Sequence, residues 1–218
     1  MTTHQKQQPL LAGAPLAEAT VALILVHGRG ASPEGIVALG ELVAPPDAAL
    51  YAPRAAGGTW YPYSFMAPFD DNQPGLDSAL QALAEALVHI DAIGIPAART
   101  VLMGFSQGAC LALEFAARNP RRYGGIVGLS GGLIGPPGTP RGYEGTLEGT
   151  PTFVGCSDID PHVPIERFRE TADVMRRIGG EVTDRVYAGM GHTVNDDEIG
   201  FARAIVTAAG SPARGSEK

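Results

Sequence analysis

The residues best suited to chemistry stand in the stretch Gly104-Phe105-Ser106-Gln107-Gly108. A short apolar run, Val101 to Met103, leads into it, and Leu111, Ala112, Phe115 and Ala116 follow at helical spacing. That pattern predicts a buried strand, a tight turn and a helix, with a serine at the apex. A serine raised on such a turn exposes its Oγ for nucleophilic attack, and glycines two residues to either side remove side chains that would collide where strand and helix cross. The helix start also aims backbone N–H groups and a positive dipole end at the reaction centre.

A serine hydroxyl is a poor nucleophile until a base takes its proton and a third group orients the base. His192, in the loop Gly189-Met190-Gly191-His192, is the candidate base, and Asp158 and Asp160 are candidate orienters. Spacing alone does not choose between the two aspartates. Cys156, Asp158, Asp160, His162 and His192 also invite comparison with a metal site, but alternate residues on one loop converge poorly on one ion, and the Ser/His/Asp reading uses the same residues better. No metal is expected.

These residues need elements to position them. Leu10 to Glu18 reads as an edge strand or hairpin, Val21 to Val26 as a strand buried on both faces, and Ser32 to Val43 as a helix with proline at its first turn. Ala49 to Ala52 reads as a brief strand, Leu76 to Ile93 as an amphipathic helix and Gly125 to Leu129 as a strand ending in Ser130-Gly131-Gly132. Thr152 to Gly155 and Val182 to Tyr187 are further strands, with helices over Ile165 to Ile178 and Glu198 to Ala209. Strands and helices alternate, which predicts an α/β fold: a mostly parallel central sheet with helices on both faces and no cap domain. Residues 1–218 read as one domain, with 1–8 and 211–218 as flexible tails. In such a sheet the residues just past the strand C-termini line one edge, where ligands bind. Ser106, then Asp158 and Asp160, then His192 all follow strands in this way, in the chain order expected of an α/β-hydrolase.

Composition removes several alternatives. The chain of 218 residues has a net charge of −7 and no basic stripe, which argues against nucleic-acid binding. There is no uninterrupted apolar run long enough to span a membrane and no basic start leading to a signal-type apolar segment, so a cytoplasmic protein is expected. Two cysteines, Cys110 and Cys156, give no disulfide framework. A dinucleotide fingerprint after Val26 fails at Pro33, and no phosphate-binding G-x-x-x-x-G-K-[ST] loop occurs. The irregular stretch from Pro53 to Pro74 is rich in aromatics and reads as a pocket wall, with Trp60, Tyr61 and Phe65 as lining residues. Tyr61, Phe65 and Phe69, if exposed, would equally suit a homodimer contact.

The motifs Val26-His27-Gly28-Arg29-Gly30, Gly104-Phe105-Ser106-Gln107-Gly108-Ala109, Ser130-Gly131-Gly132, Asp160-Pro161-His162-Val163-Pro164 and Gly189-Met190-Gly191-His192 together resemble the phospholipase/carboxylesterase family that includes the acyl-protein thioesterases. The resemblance covers nearly the whole chain. It implies an α/β-hydrolase fold and a serine-dependent hydrolase of esters or thioesters, with no metal or organic cofactor. It assigns the catalytic acid to Asp160, which directly precedes the proline, and leaves Asp158 as a supporting carboxylate. It places the oxyanion hole at the backbone N–H groups of Arg29 and Gln107, with His27 bracing that loop. Members acting on lipidated proteins commonly carry an apolar residue where Arg29 stands, and an apolar loop where Thr59 to Pro74 is aromatic and ends in Asp70-Asp71. Those departures point to a small-molecule ester of short to medium acyl chain, with Arg29 available to an anionic group. A long-chain acyl thioesterase or lysophospholipase is the alternative, and a non-catalytic receptor on the same fold is a more distant one.

Overall fold

The computed structural model describes residues 4–211, from which one sheet of seven strands emerges in the order β1-β3-β2-β4-β5-β6-β7. The strands are β1 (Leu10–Gly13), β2 (Val21–Val26), β3 (Ala48–Ala52), β4 (Thr100–Phe105), β5 (Gly125–Leu129), β6 (Pro151–Ser157) and β7 (Glu181–Tyr187). Only β1, at the edge, runs antiparallel, pairing Leu10 with Ala52 and Gly13 with Ala49; every other neighbouring pair is parallel. The helices are α1 (Pro33–Glu41), α2 (Gly75–Ala92), α3 (Gln107–Arg118), α4 (Ile165–Arg177) and α5 (Asp196–Gly210).

The continuous apolar strands are explained by cover on both sides. Alternate side chains of β2 and β4 point to opposite faces. Ala22, Ile24, Val26 and Leu102 meet residues of α2, α3 and α4, whereas Val21, Leu23, Leu25, Val101 and Met103 meet residues of α1 and α5. All six residues of β2 are buried, the signature of a central strand in a parallel sheet. None of the helices described is long and apolar enough to cross a membrane.

Chain order moves from β2 outward to β3, then back past β2 to β4, so the topological switch lies between β2 and β4. Ligand sites in open α/β sheets favour that crevice, beyond the strand C-termini. Here it is flanked by the turn after Val26 and the turn after Phe105.

One expectation fails at the N-terminus. Residues 4–8 were expected to fray, yet His4 is buried, and a short 3-10 turn spans His4–Lys6. The reason is a set of long-range bonds: the His4 amide donates to Ser78 Oγ (3.0 Å), and its ring bonds to Ala56 and Trp60. Residues 1–3, and all of the expected C-terminal tail except Ser211, lie outside the described residues.

Candidate active site

Ser106 occupies the turn between β4 and α3 with φ 57° and ψ −121°, a left-handed conformation that a side chain adopts at a cost of about 1–3 kcal/mol. The flanking glycines are steric requirements. A Cβ on Gly104 would lie 2.4 Å from the Gly108 carbonyl carbon, and one on Gly108 would lie 2.0 Å from the Val26 oxygen. The turn therefore closes only because strand and helix backbones touch. Ser106 is also the N-cap residue of α3, so the first amides of that helix face the space above its hydroxyl.

Three loops meet there. His192 Nδ1 donates to Asp160 Oδ2 at 2.7 Å, and Ser106 Oγ donates to His192 Nε2 at 2.9 Å. A carboxylate only accepts, so Asp160 fixes the proton on Nδ1 and leaves Nε2 as the acceptor. Asp160 is itself held: its Oδ1 accepts from the amides of His162 (2.8 Å) and Val163 (3.1 Å), and its side chain is fully buried. Burial pushes its pKa up, but the His192 bond and those two amides outweigh it and hold the carboxyl below its ordinary value. Asp158 is placed elsewhere, accepting from the Gly189 amide at 2.8 Å and so supporting the loop that carries His192.

Arg29 and Gln107 line the same cavity as Ser106. Among the described residues neither backbone N–H has a protein acceptor, which leaves both free to donate toward a substrate oxygen. Their side chains do different work. Gln107 Oε1 accepts from the Trp60 amide (3.0 Å) and Thr59 Oγ1 (3.3 Å), while its Nε2 donates to the Tyr61 carbonyl (2.8 Å). The Arg29 guanidinium donates to Thr59 Oγ1 (3.0 Å) and to the carbonyls of Pro62 (2.7 Å) and Tyr63, and lies over the Tyr61 ring. The expectation that Arg29 serves an anionic substrate group is thus replaced: its donors anchor the aromatic loop.

Trp60 is likewise displaced from its expected place in the cavity wall. It is fully buried behind the loop, its indole N–H donates to the His27 carbonyl at 2.8 Å, and its ring packs between His4 and His27. It braces the turn that carries the Arg29 amide. His27 does so as well. Its Nε2 accepts from the Ala55 amide (3.1 Å) and its Nδ1 donates to the Gly28 carbonyl (2.8 Å), and burial lowers its pKa, so it stays neutral.

Tyr61 and Phe65 do line the cavity, which measures about 640 Å³ and also meets Ser106, Phe105, Val163 and His192. Both are buried, at 1% and 8% exposure, and Phe69 is half-buried, so the homodimer contact imagined for these aromatics loses its exposed surface; Tyr63, at 61%, is the exposed ring at the rim. Among the lining residues that sequence reasoning missed are Ser130, Cys110 and His162. His162 stands edge-on to His192 with ring centroids 4.8 Å apart. The available signal was Ser130-Gly131-Gly132, which follows β5 as Ser106 follows β4. Among the described residues no group of three or more His, Cys, Asp or Glu side chains is arranged to hold a metal ion.

Comparison with known proteins places the whole chain. A solved phospholipase/carboxylesterase from Dyadobacter fermentans is 42% identical and superposes with a TM-score of 0.90, covering 95% of this chain and 99% of that one. Acyl-protein thioesterase 1 of Saccharomyces cerevisiae is 28% identical over 87% of this chain and 93% of its own length, and Esterase YpfH of Escherichia coli is 24% identical over 83% and 79%. The family profile described as Phospholipase/Carboxylesterase matches residues 13–208. An α/β-hydrolase sheet, with esterases and thioesterases as its relatives, thus joins the site geometry: the chain belongs to the phospholipase/carboxylesterase family of hydrolases.

Proposed function

We propose that the chain is a serine carboxylesterase that cleaves esters of short to medium acyl chain through an acyl-enzyme, with Ser106 as nucleophile, His192 as base and Asp160 as orienting acid. The observation that carries this reading is the unbroken hydrogen-bonded chain from Ser106 Oγ through His192 to Asp160, at 2.9 and 2.7 Å.

In this mechanism Ser106 Oγ attacks the ester carbonyl carbon as its proton passes to His192 Nε2. The carbonyl oxygen becomes an oxyanion held by the Arg29 and Gln107 amides, and losing one such donor typically costs about 3–4 kcal/mol of transition-state stabilisation. The imidazolium is stabilised by the buried Asp160 carboxylate. It returns its proton to the departing alkoxide, leaving an acyl-Ser106 ester and a neutral alcohol. Water, deprotonated by His192, then attacks the acyl carbonyl, and the collapse of the second tetrahedral intermediate releases the acid and restores the Ser106 proton. Every proton and bond change is met by these groups, so the chemistry calls for no metal or organic cofactor.

The short-to-medium acyl preference rests on the aromatic loop. Arg29 and Gln107 pin residues 59–63 down, and Tyr61 and Phe65 close the cavity from that side. A long-chain thioester reading uses the same machinery and is favoured by the thioesterase relatives. The two free thiols, Cys110 and Cys156, suit a reducing, cytoplasmic setting.

The test is kcat/KM on p-nitrophenyl esters from acetate to palmitate and on acyl thioesters of matched length, with Ser106→Ala as the blank. A maximum at acetate to hexanoate supports the carboxylesterase. A maximum at long chains, or on thioesters, would transfer the assignment to the alternative.

A further inference from the structure

The inner end of the cavity carries polar atoms that the hydrolytic mechanism does not use. Tyr61 Oη and Ser130 Oγ are both buried; among the described residues Ser130 Oγ has no hydrogen-bond partner, and Tyr61 Oη has only the weak Cys110 thiol beside it. Both residues line the same cavity as Ser106. Buried hydroxyls nearly always have a full-strength partner, and an oxygen in the cavity that both residues line would supply one.

Ser130 has a second peculiarity. Strands β4 and β5 pair in parallel with Phe105 opposite Leu129, and the Ser106 amide donates to the Leu129 carbonyl at 2.9 Å. The next residues, Ser106 and Ser130, therefore leave the sheet side by side. Ser130 takes φ 51°, close to the 57° of Ser106, and those two are among only three left-handed residues other than glycine in the described chain. Glycine would adopt this conformation more easily. Backbone outliers of this kind gather at functional sites.

The two hydroxyls belong to one contiguous wall. Ser130-Gly131-Gly132 crosses Cys110, where the Gly132 amide donates to Cys110 Sγ at 3.4 Å, and the Tyr61 phenol lies against that thiol. Burial pushes the Tyr61 phenol well above its usual pKa and the Cys110 thiol up to about 12, so both stay neutral. The one cation on the cavity wall, Arg29, spends its guanidinium on the loop carbonyls.

We propose that Tyr61 Oη and Ser130 Oγ receive a neutral oxygen substituent, a hydroxyl or keto group on the carbons next to the scissile carbonyl, so that the preferred substrates are esters of short hydroxy- or oxo-acids. This rests on the ester-hydrolase reading above and names its acyl class. Neutral walls exclude a carboxylate as the substituent. The adjacency of Ser130 to Ser106 limits the substituent to the first or second carbon beyond the carbonyl. A plain alkyl chain leaves both hydroxyls without a full-strength partner when it displaces water, and sites built to bond a substrate oxygen discriminate strongly against analogues that lack it.

The experiment compares kcat/KM, followed by acid release, on ethyl butyrate, ethyl 2-hydroxybutyrate and ethyl 3-hydroxybutyrate. Wild type should prefer one hydroxyester over butyrate by roughly 10- to 100-fold, the discrimination expected from one or two lost hydrogen bonds. Tyr61→Phe, Ser130→Gly and Ser130→Ala should each move that ratio toward one, whatever the absolute rate. Equal or faster hydrolysis of plain butyrate by wild type, or a ratio that survives the Tyr61 and Ser130 variants, overturns the proposal alone. Wild type indistinguishable from Ser106→Ala on all three esters overturns the hydrolase reading and the proposal with it. The melting temperature separates a structural role: Tyr61→Phe should leave it unchanged or raise it, because a hydroxyl with only a weak partner is lost, and a clear fall would assign that hydroxyl to packing.

Discussion

At the residue scale the decisive contrast lies between two aspartates two positions apart. The Asp160 side chain bonds to His192 and is fully buried, whereas that of Asp158 accepts from the Gly189 amide. Asp160→Asn tests the distinction cleanly. The amide oxygen still accepts from the His162 and Val163 amides, but the NH₂ now faces Nδ1 and favours the tautomer with the proton on Nε2, where it can no longer take one from Ser106. Such a substitution lowers kcat by about 10⁴-fold while leaving the geometry intact. We expect a loss of that order for Asp160→Asn, with the melting temperature little changed. Asp158→Asn should stay within about tenfold of wild type, as befits a group acting through one loop bond. Steady-state kinetics on p-nitrophenyl butyrate measures both. Ser106, Asp160 and His192 were legible in the sequence because each follows a strand end and stands among motif residues. Tyr61 Oη, Ser130 Oγ and the Arg29 guanidinium were not. Their roles depend on what a side chain meets across the fold, and no periodicity encodes that.

At the element scale, most strands and helices were read nearly to their ends because the apolar pattern has the period of the element that carries it, whereas the edge strand read over Leu10 to Glu18 stops at Gly13. The loop from Pro53 to Pro74 has no period, and its placement depends on partners dozens of residues away in sequence, such as Gln107 for Thr59, Trp60 and Tyr61. Helix α5 hides a different feature. Asn195 and Glu198 form a capping box, with Glu198 Oε2 accepting from the Asn195 amide at 3.0 Å. The other oxygen, Oε1, is buried without a partner among the described residues, pressed into the space left by the missing side chain of Gly155 in β6. Burial pushes the Glu198 pKa up to about 7. The unfolded chain releases this proton near pH 4.3 and the folded chain only near 7, so across that window the folded state binds more protons and stability falls as pH rises. The cost levels off above pH 7 at roughly 3–4 kcal/mol, taking 1.36 kcal/mol per pKa unit. Glu198→Gln keeps the cap acceptor and removes the titration. Its unfolding free energy should exceed that of wild type by about 3–4 kcal/mol at pH 8, with the two close to equal at pH 4. Urea midpoints at the two pH values check this; an unchanged difference between them would mean that Glu198 does not titrate in the window.

At the scale of the whole molecule, the sheet edge that carries Ser106 and His192 is braced by a segment that composition marks as a tail. His4 reaches across the chain to the loop behind the oxyanion turn. Its Nδ1 accepts from the Ala56 amide at 3.0 Å, its Nε2 donates to the Trp60 carbonyl at 2.9 Å, and its ring packs on Trp60, which in turn holds the His27 carbonyl. This arrangement needs neutral imidazole, because a protonated ring has no lone pair for the Ala56 amide. Burial lowers the His4 pKa, with the Trp60 carbonyl only partly opposing it, and burial likewise lowers that of His27 on the opposite side of Trp60. Both folded values therefore lie below the unfolded value of about 6.5. The stability these rings contribute is complete above pH 6.5 and is lost as pH falls from there through their folded pKa values. His4→Ala removes two hydrogen bonds and a ring contact, which should cost about 1–3 kcal/mol. It should also raise KM more than it lowers kcat, because the loop that shapes the cavity loosens while Ser106, His192 and Asp160 remain in place. The acid side gives the sharper check. Between pH 7 and pH 5 the melting temperature of wild type should fall more steeply than that of His4→Ala, the difference being the proton that His4 no longer excludes. Parallel curves would mean that His4 does not couple the N-terminal segment to the loop in this way.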